Sequence, residues 1–168
     1  MGCGKSYYAK RLAEKEGLER FDLDEFIEEK ENASIASIFE NRGEVYFRKK
    51  EAQYLSELLN TDKNSVIALG GGTPCYGDNL QQLRLKGDVV SVYFQKSALE
   101  ISKQLYGEKS TRPLIAHFSN EEDLIEHISK HLFERQRFYL QADHKINLSH
   151  TKDNEEVLKR LSDIWYAN

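Results

Sequence analysis

The side chains best suited to chemistry stand at the start of the sequence. Gly2-Cys3-Gly4-Lys5-Ser6 runs directly into a segment of helical periodicity. Glycines let backbone N–H groups close around phosphate oxygens, and a helix N-terminus adds free donors and a favourable dipole. In the pattern G-x-x-x-x-G-K-[ST] the lysine reaches the β- and γ-phosphates and the hydroxyl binds Mg²⁺. Lys5 and Ser6 hold those places here, and Tyr7 follows them. The match covers the second half of the pattern, since its first glycine would fall two residues before Met1, with the strand that feeds such a loop further upstream. An earlier start of the chain is the favoured reading. A clipped chain, a nucleotide site that has lost part of its loop, and an ordinary flexible N-terminus are the others.

Asp22-Leu23-Asp24 closes a short strand candidate. Ligands of open α/β sheets bind outside the carboxyl ends of strands, and alternation puts both carboxylates on one side. Such a pair could hold Mg²⁺ through water and accept a proton from a substrate hydroxyl. Asp24 equally suits the N-cap of the next helix. Glu44 and Arg48 are four apart and can pair on a helix, orienting the guanidinium for a bidentate grip on a carboxylate between Phe39 and Phe47. A solvated surface ion pair is the alternative. Gly70-Gly71-Gly72, before Thr73, offers exposed N–H groups to a ligand, or a tight turn. Arg112, before Pro113, falls in an aperiodic stretch read as a lid over about 106–119, from which an arginine could close over a transferring phosphoryl group. Arg135 and Arg137, beside Phe138 and Tyr139, offer a second carboxylate clamp or a solvated basic patch.

The elements that must position these groups alternate. Apolar spacing predicts helices over 5–16, 25–30, 35–40, 43–60, 79–86, 98–105, 121–140 and 155–166. Short strand candidates fall over 18–23, 66–69 and 145–148, and over 89–94, which is rich in Val and aromatics. Strands alternating with helices indicate an α/β fold with a parallel sheet. The 168 residues suit a single domain, 1–168, with a core of its own. The 28 acidic and 24 basic side chains leave a net charge of −4, which argues against a general duplex-DNA binder. No apolar run approaches the roughly 20 residues of a membrane span, and the N-terminus lacks a signal peptide's apolar core. Cys3 and Cys75 cannot build a disulfide framework, so a reduced, cytoplasmic setting is expected.

Taken in order, these motifs resemble the shikimate kinases, small P-loop kinases similar in fold to nucleoside monophosphate kinases. The resemblance runs from Gly2 to about Tyr139, and its most specific part is F-x-x-x-G-E-x-x-F-R, matched at Phe39, Gly43, Glu44, Phe47 and Arg48. It implies a three-layer P-loop kinase fold: a five-stranded parallel sheet, its first strand absent from this sequence, with a mobile lid and a substrate-binding helical region over about 24–60. It implies phosphoryl transfer from MgATP to the 3-hydroxyl of shikimate, in the route to chorismate and the aromatic amino acids. ATP would lie against Gly2, Cys3, Gly4, Lys5, Ser6 and Tyr7, with Arg112 from the lid; Mg²⁺ would take Ser6 directly and Asp22 through water. Shikimate would meet Asp24, Arg48, Gly70, Gly71, Gly72 and Arg135. Lys5, Asp24 and Arg112 would be catalytic. No nucleic acid or membrane partner is expected, and the family resemblance points to a monomer. The sequence departs from the family where a second lid arginine is common, leaving Lys103 or Lys109 as substitutes, and where Gln136 replaces the proline of R-x-P-L-Y. A kinase for another hydroxy acid such as gluconate, and a non-catalytic nucleotide-binding remnant, are the alternatives.

Overall fold

The computed structural model describes residues 2–107, 115, 118, 120–149, 151 and 153–167. They gather into two compact units, one of Lys5–Val90 with Leu158–Asn168 and one of Met1–Gly4 with Ser91–Val157.

In the first unit, helix α1 (Lys5–Glu16) buries Tyr8, Ala9, Leu12 and Ala13 at helical spacing. Strand β1 (Glu19–Asp22) pairs in parallel with β2 (Ser65–Ala68), Glu19 opposite Ser65 and Asp22 opposite Ala68. Helix α2 (Leu23–Glu31) starts at once after β1 because the Asp22 carboxylate caps it, accepting from the Asp24 N–H at 3.1 Å. Helix α3 (Ile35–Leu59) is capped by Ser34 and broken at Gly43, whose φ of 79° and ψ of 168° leave the helical region. The two helices expected over 35–40 and 43–60 are thus the two arms of one kinked element. Leu23 and Ile27 of α2 and Ile38 and Leu55 of α3 are fully buried at its core. After β2 come the three glycines, a 3₁₀ turn over Thr73–Cys75 that the sequence pattern did not indicate, and α4 (Asn79–Leu85).

In the second unit, β3 (Val92–Gln95) pairs in parallel with β4 (His144–Asn147). Helices α5 (Ala98–Gly107) and α6 (Glu121–Tyr139) bury Ile101, Leu105, Leu124 and Ile128 with Ile115. Tyr106 and Gly107, expected to open the lid, still belong to α5. Helix α7 (Asn154–Tyr166) begins in this unit and ends in the other, where Ser162 and Tyr166 donate hydrogen bonds to Glu16 of α1.

The class is α/β with parallel strands, as the alternation predicts. Hydrogen bonding among the described residues gives two parallel two-stranded sheets, β1 with β2 and β3 with β4, which together hold the four strands expected once the first of five is absent from the sequence. Among the described residues, no helix is long and apolar enough to cross a membrane.

Candidate active site

Asp22 stands where β1 becomes α2, and both its oxygens are used. Oδ1 caps α2, while Oδ2 accepts from the Ser6 hydroxyl at 2.7 Å. The hydroxyl and carboxylate assigned to a metal by the sequence pattern are therefore neighbours. Mg²⁺ that arrives on substrate phosphates takes only one or two protein oxygens, and this donor set fits it. Lys5 is the first residue of α1. Gly2 and Gly4 have φ of 66° and 84°, the left-handed region that glycine alone enters cheaply. Gly2 also has no room for a side chain: a Cβ there would lie 2.9 Å from Leu105 Cγ in its own unit. Tyr7 is exposed, its hydroxyl accepting from Arg11 Nη1 at 3.4 Å.

Asp24 lies in the first turn of α2. The residue is exposed, yet its carboxyl end is crowded: a Cβ on Gly70 would come within 3.1 Å of its Oδ1. Removal of water raises its pKa above the ordinary carboxylate range, the charges of Asp22 and Glu51 add to this, and Lys5 opposes it. An aspartate so placed accepts a proton from a hydroxyl more readily near neutral pH than an ordinary one.

Arg48 lies in the second arm of α3. Its Nε donates to Glu44 at 3.2 Å, the pair expected from the sequence, and its Nη1 donates to Glu51 at 2.8 Å. Glu51 is 1% exposed, and its other oxygen accepts from the Thr73 hydroxyl at 2.7 Å. Burial alone would lower the Arg48 pKa; Glu51 and then Glu44 outweigh it and hold the guanidinium firmly protonated. Gly72 approaches the same group so closely that a Cβ would lie 3.0 Å from Nη1 and 3.1 Å from Nη2. Gly70 stands likewise between Asp24 Oδ1 and Thr73 Oγ1, each 3.1 Å from a would-be Cβ. Gly71, between them, presents its carbonyl to Cys75 Sγ at 4.0 Å. A carboxyl with a raised pKa and a fixed guanidinium thus face one glycine loop.

Glu51 is the residue that sequence reasoning missed. Its signal was available: it shares the helical stripe of Phe47, Tyr54, Leu55 and Leu58, all buried. A carboxylate on a buried stripe needs partners, and Arg48 stands three residues before it.

Glu31 anchors both arms of α3. It accepts from Arg42 at 2.7 Å on one side of the Gly43 break, and from Tyr46 and Tyr54, each at 2.6 Å, on the other. Lys50 Nζ stands 3.2 Å away. The Tyr46 and Tyr54 hydroxyls are the main cause of its pKa falling to about 2.

Arg135 lies half-buried on α6, in the other unit, where its charge, after burial, helps to lower the pKa of His131. Arg137 stacks on Phe138 at 4.7 Å. Arg112, Lys109 and most of the stretch expected as a lid lie outside the described residues, while Lys103 lies on α5.

Comparison with known proteins identifies the family. A family profile described as shikimate kinase matches residues 1–165. The shikimate kinase of Flavobacterium johnsoniae is 44% identical over 164 residues, covering 98% of this chain and 92% of that protein. The crystal structure of shikimate kinase from Bacteroides thetaiotaomicron superposes with a TM-score of 0.87 at 30% identity, covering 99% of this chain and 94% of that one. The structure of shikimate kinase from Acinetobacter baumannii in complex with shikimate gives 0.79 at 30% identity, covering 100% and 89%.

Proposed function

The chain belongs to the shikimate kinase family and is an enzyme of aromatic amino-acid biosynthesis, and from that premise we propose how its residues carry a phosphoryl group from MgATP to the 3-hydroxyl of shikimate. The observation that carries the reading is the glycine loop flanked by Asp24 and by the Arg48–Glu51 pair. Arg48 receives the substrate carboxylate, since a guanidinium whose plane is already set loses little freedom on binding it. Asp24 orients the attacking hydroxyl and takes its proton. The backbone of Gly70, Gly71 and Gly72 lets the ring approach closely.

MgATP supplies the phosphoryl group and the cation that neutralises its charge. Gly2, Cys3, Gly4, Lys5, Ser6 and Tyr7 are assigned to its phosphates, with Ser6 and Asp22 on the metal. Arg112 is assigned to the transferring group and Arg135 to a second contact with the substrate carboxylate, both on the family resemblance. The reaction then rests on positioning and charge neutralisation. The same resemblance carries a five-stranded parallel sheet to which both strand pairs would contribute, a single domain with a mobile lid, and a cytoplasmic monomer without nucleic-acid or membrane partners.

The test is ADP release by the purified protein with MgATP and shikimate, with gluconate in parallel. Shikimate-dependent turnover supports the reading. Turnover with gluconate alone overturns the substrate, and nucleotide binding without turnover on either acid overturns the activity. Lys5→Ala and Asp24→Ala should each lower kcat by about 10²-fold or more. Arg112→Ala should slow transfer more than it weakens binding of the acid.

A further inference from the structure

We propose that Tyr76 is a positioning residue for the substrate carboxylate, acting through Arg48, an inference that rests on the reading above. The Arg48 guanidinium carbon lies 3.8 Å from the centre of the Tyr76 ring, well inside the range in which a cation is attracted to an aromatic face. Phe47 presents a second ring at 5.0 Å. Glu44 and Glu51 hold Nε and Nη1 in the guanidinium plane, and the Gly72 backbone closes on both terminal nitrogens. The carboxylates fix where the group lies, but they leave it free to rock about the line joining them. A ring stacked on its face removes that rotation and sets the plane in which the remaining N–H bonds point.

Tyr76 is itself delivered by a stiff segment. The 3₁₀ turn before it contains Pro74 and is closed by Thr73 N–H on the Gly70 carbonyl at 3.2 Å and Cys75 N–H on the Gly72 carbonyl at 2.8 Å. Asn79 Nδ2 donates to the Thr73 carbonyl at 2.9 Å, and the Thr73 hydroxyl ties the turn to Glu51. Gly77, with φ of 52°, lets the chain bend away directly after the ring. Tyr76 remains 37% exposed, so its replacement leaves the core untouched. Its ring also shields one face of Arg48 from water, which strengthens any ion pair the group makes.

The experiment compares steady-state kinetics of wild type, Tyr76→Phe, Tyr76→Leu and Tyr76→Ser. Loss of the ring should raise KM for shikimate roughly three- to tenfold, leaving KM for ATP within about twofold. Tyr76→Phe, which keeps the π face, should restore the wild-type KM. In an Arg48→Leu background, Tyr76→Leu should have no further effect, because the pathway through the guanidinium is gone. Thermal melts verify folding, and the serine variant serves if the leucine variant melts early. An unchanged shikimate KM in both Leu and Ser variants, or a rise that Phe does not reverse, overturns the proposal. Wild-type turnover separates the two levels: no shikimate turnover by the wild type removes the functional reading and this inference with it, whereas normal wild-type turnover with insensitive variants removes the inference alone.

Discussion

Replacing Glu51 by glutamine removes a charge from a site with 1% exposure and leaves its volume almost unchanged. The carboxylate accepts from two donors at once, Thr73 Oγ1 at 2.7 Å and Arg48 Nη1 at 2.8 Å. A glutamine has one accepting atom at its tip, so one donor is left facing an NH₂ group. A hydrogen bond to a charged group contributes about 1.5–3 kcal/mol, and breaking a fully buried ion pair costs about 3–5 kcal/mol. Arg48 keeps 19% of its side chain exposed, so water replaces part of what is lost and the smaller range applies. For a chain of this size that amounts to a fall of about 4–10 °C in melting temperature. The released guanidinium should also bind shikimate less well, with KM rising about tenfold. A third effect has a defined sign. Glu51 is one of the charges that raise the Asp24 pKa, so Glu51→Gln should move the acidic limb of the kcat profile to lower pH. Thermal melts and initial rates between pH 5 and 9 read all three. A melting temperature within about 1 °C of wild type, with KM and the acidic limb unmoved, would refute the reasoning.

Asp24→Asn should abolish turnover while raising the melting temperature. The folded-state pKa of Asp24 lies above its ordinary value, so the ionised form is disfavoured by folding, and the difference from wild type should be full above that pKa and vanish at low pH. Equal melting temperatures at pH 8 would contradict this. Glu31 behaves oppositely: with its pKa lowered from 4.5 to about 2, it stabilises the fold above about pH 4.5 and ceases to do so as pH falls through 2. Glu31→Gln should therefore melt lower at pH 7 and lose less stability on acidification over that window; parallel acid titrations would refute the network's role. Gly72→Ala places a methyl group 3.0 Å from Arg48 Nη1, so the guanidinium must shift by a few tenths of an ångström from the position that Glu44 and Glu51 set. KM for shikimate should rise severalfold with little change in melting temperature, and an unchanged KM would show that this position of the guanidinium does not govern binding of the acid.

Much of the site was legible because its signals are local. The Glu44–Arg48 spacing and the Ser6 hydroxyl could be read from neighbours in the chain, and the break at Gly43 showed as a gap between two helical patterns. The resemblance implied that Ser6 and Asp22 serve one metal, but their direct hydrogen bond at 2.7 Å joins residues 16 apart and is set by packing that no local signal encodes. Glu51 was hidden because it sits on an otherwise apolar stripe, where pattern reading registers the core and overlooks the charge. Tyr76 was hidden for a different reason: it meets Arg48 across two elements, brought there by a 3₁₀ turn that no hydrophobic period encodes. The existence of four strands was legible from short runs between turn signals, but which strands hydrogen-bond to one another is decided between distant segments. The pairing of β1 with β2 and of β3 with β4 was therefore not readable from the runs themselves.

The most direct measurement is phosphorus NMR of the product formed from MgATP and shikimate by the purified protein. The account predicts one new phosphomonoester, coupled to the ring proton at the carbon bearing the 3-hydroxyl, in amounts equal to the ADP released. A phosphomonoester on another hydroxyl, or ADP accompanied only by inorganic phosphate, would contradict the assignment of Asp24 and Arg48 to orienting that hydroxyl.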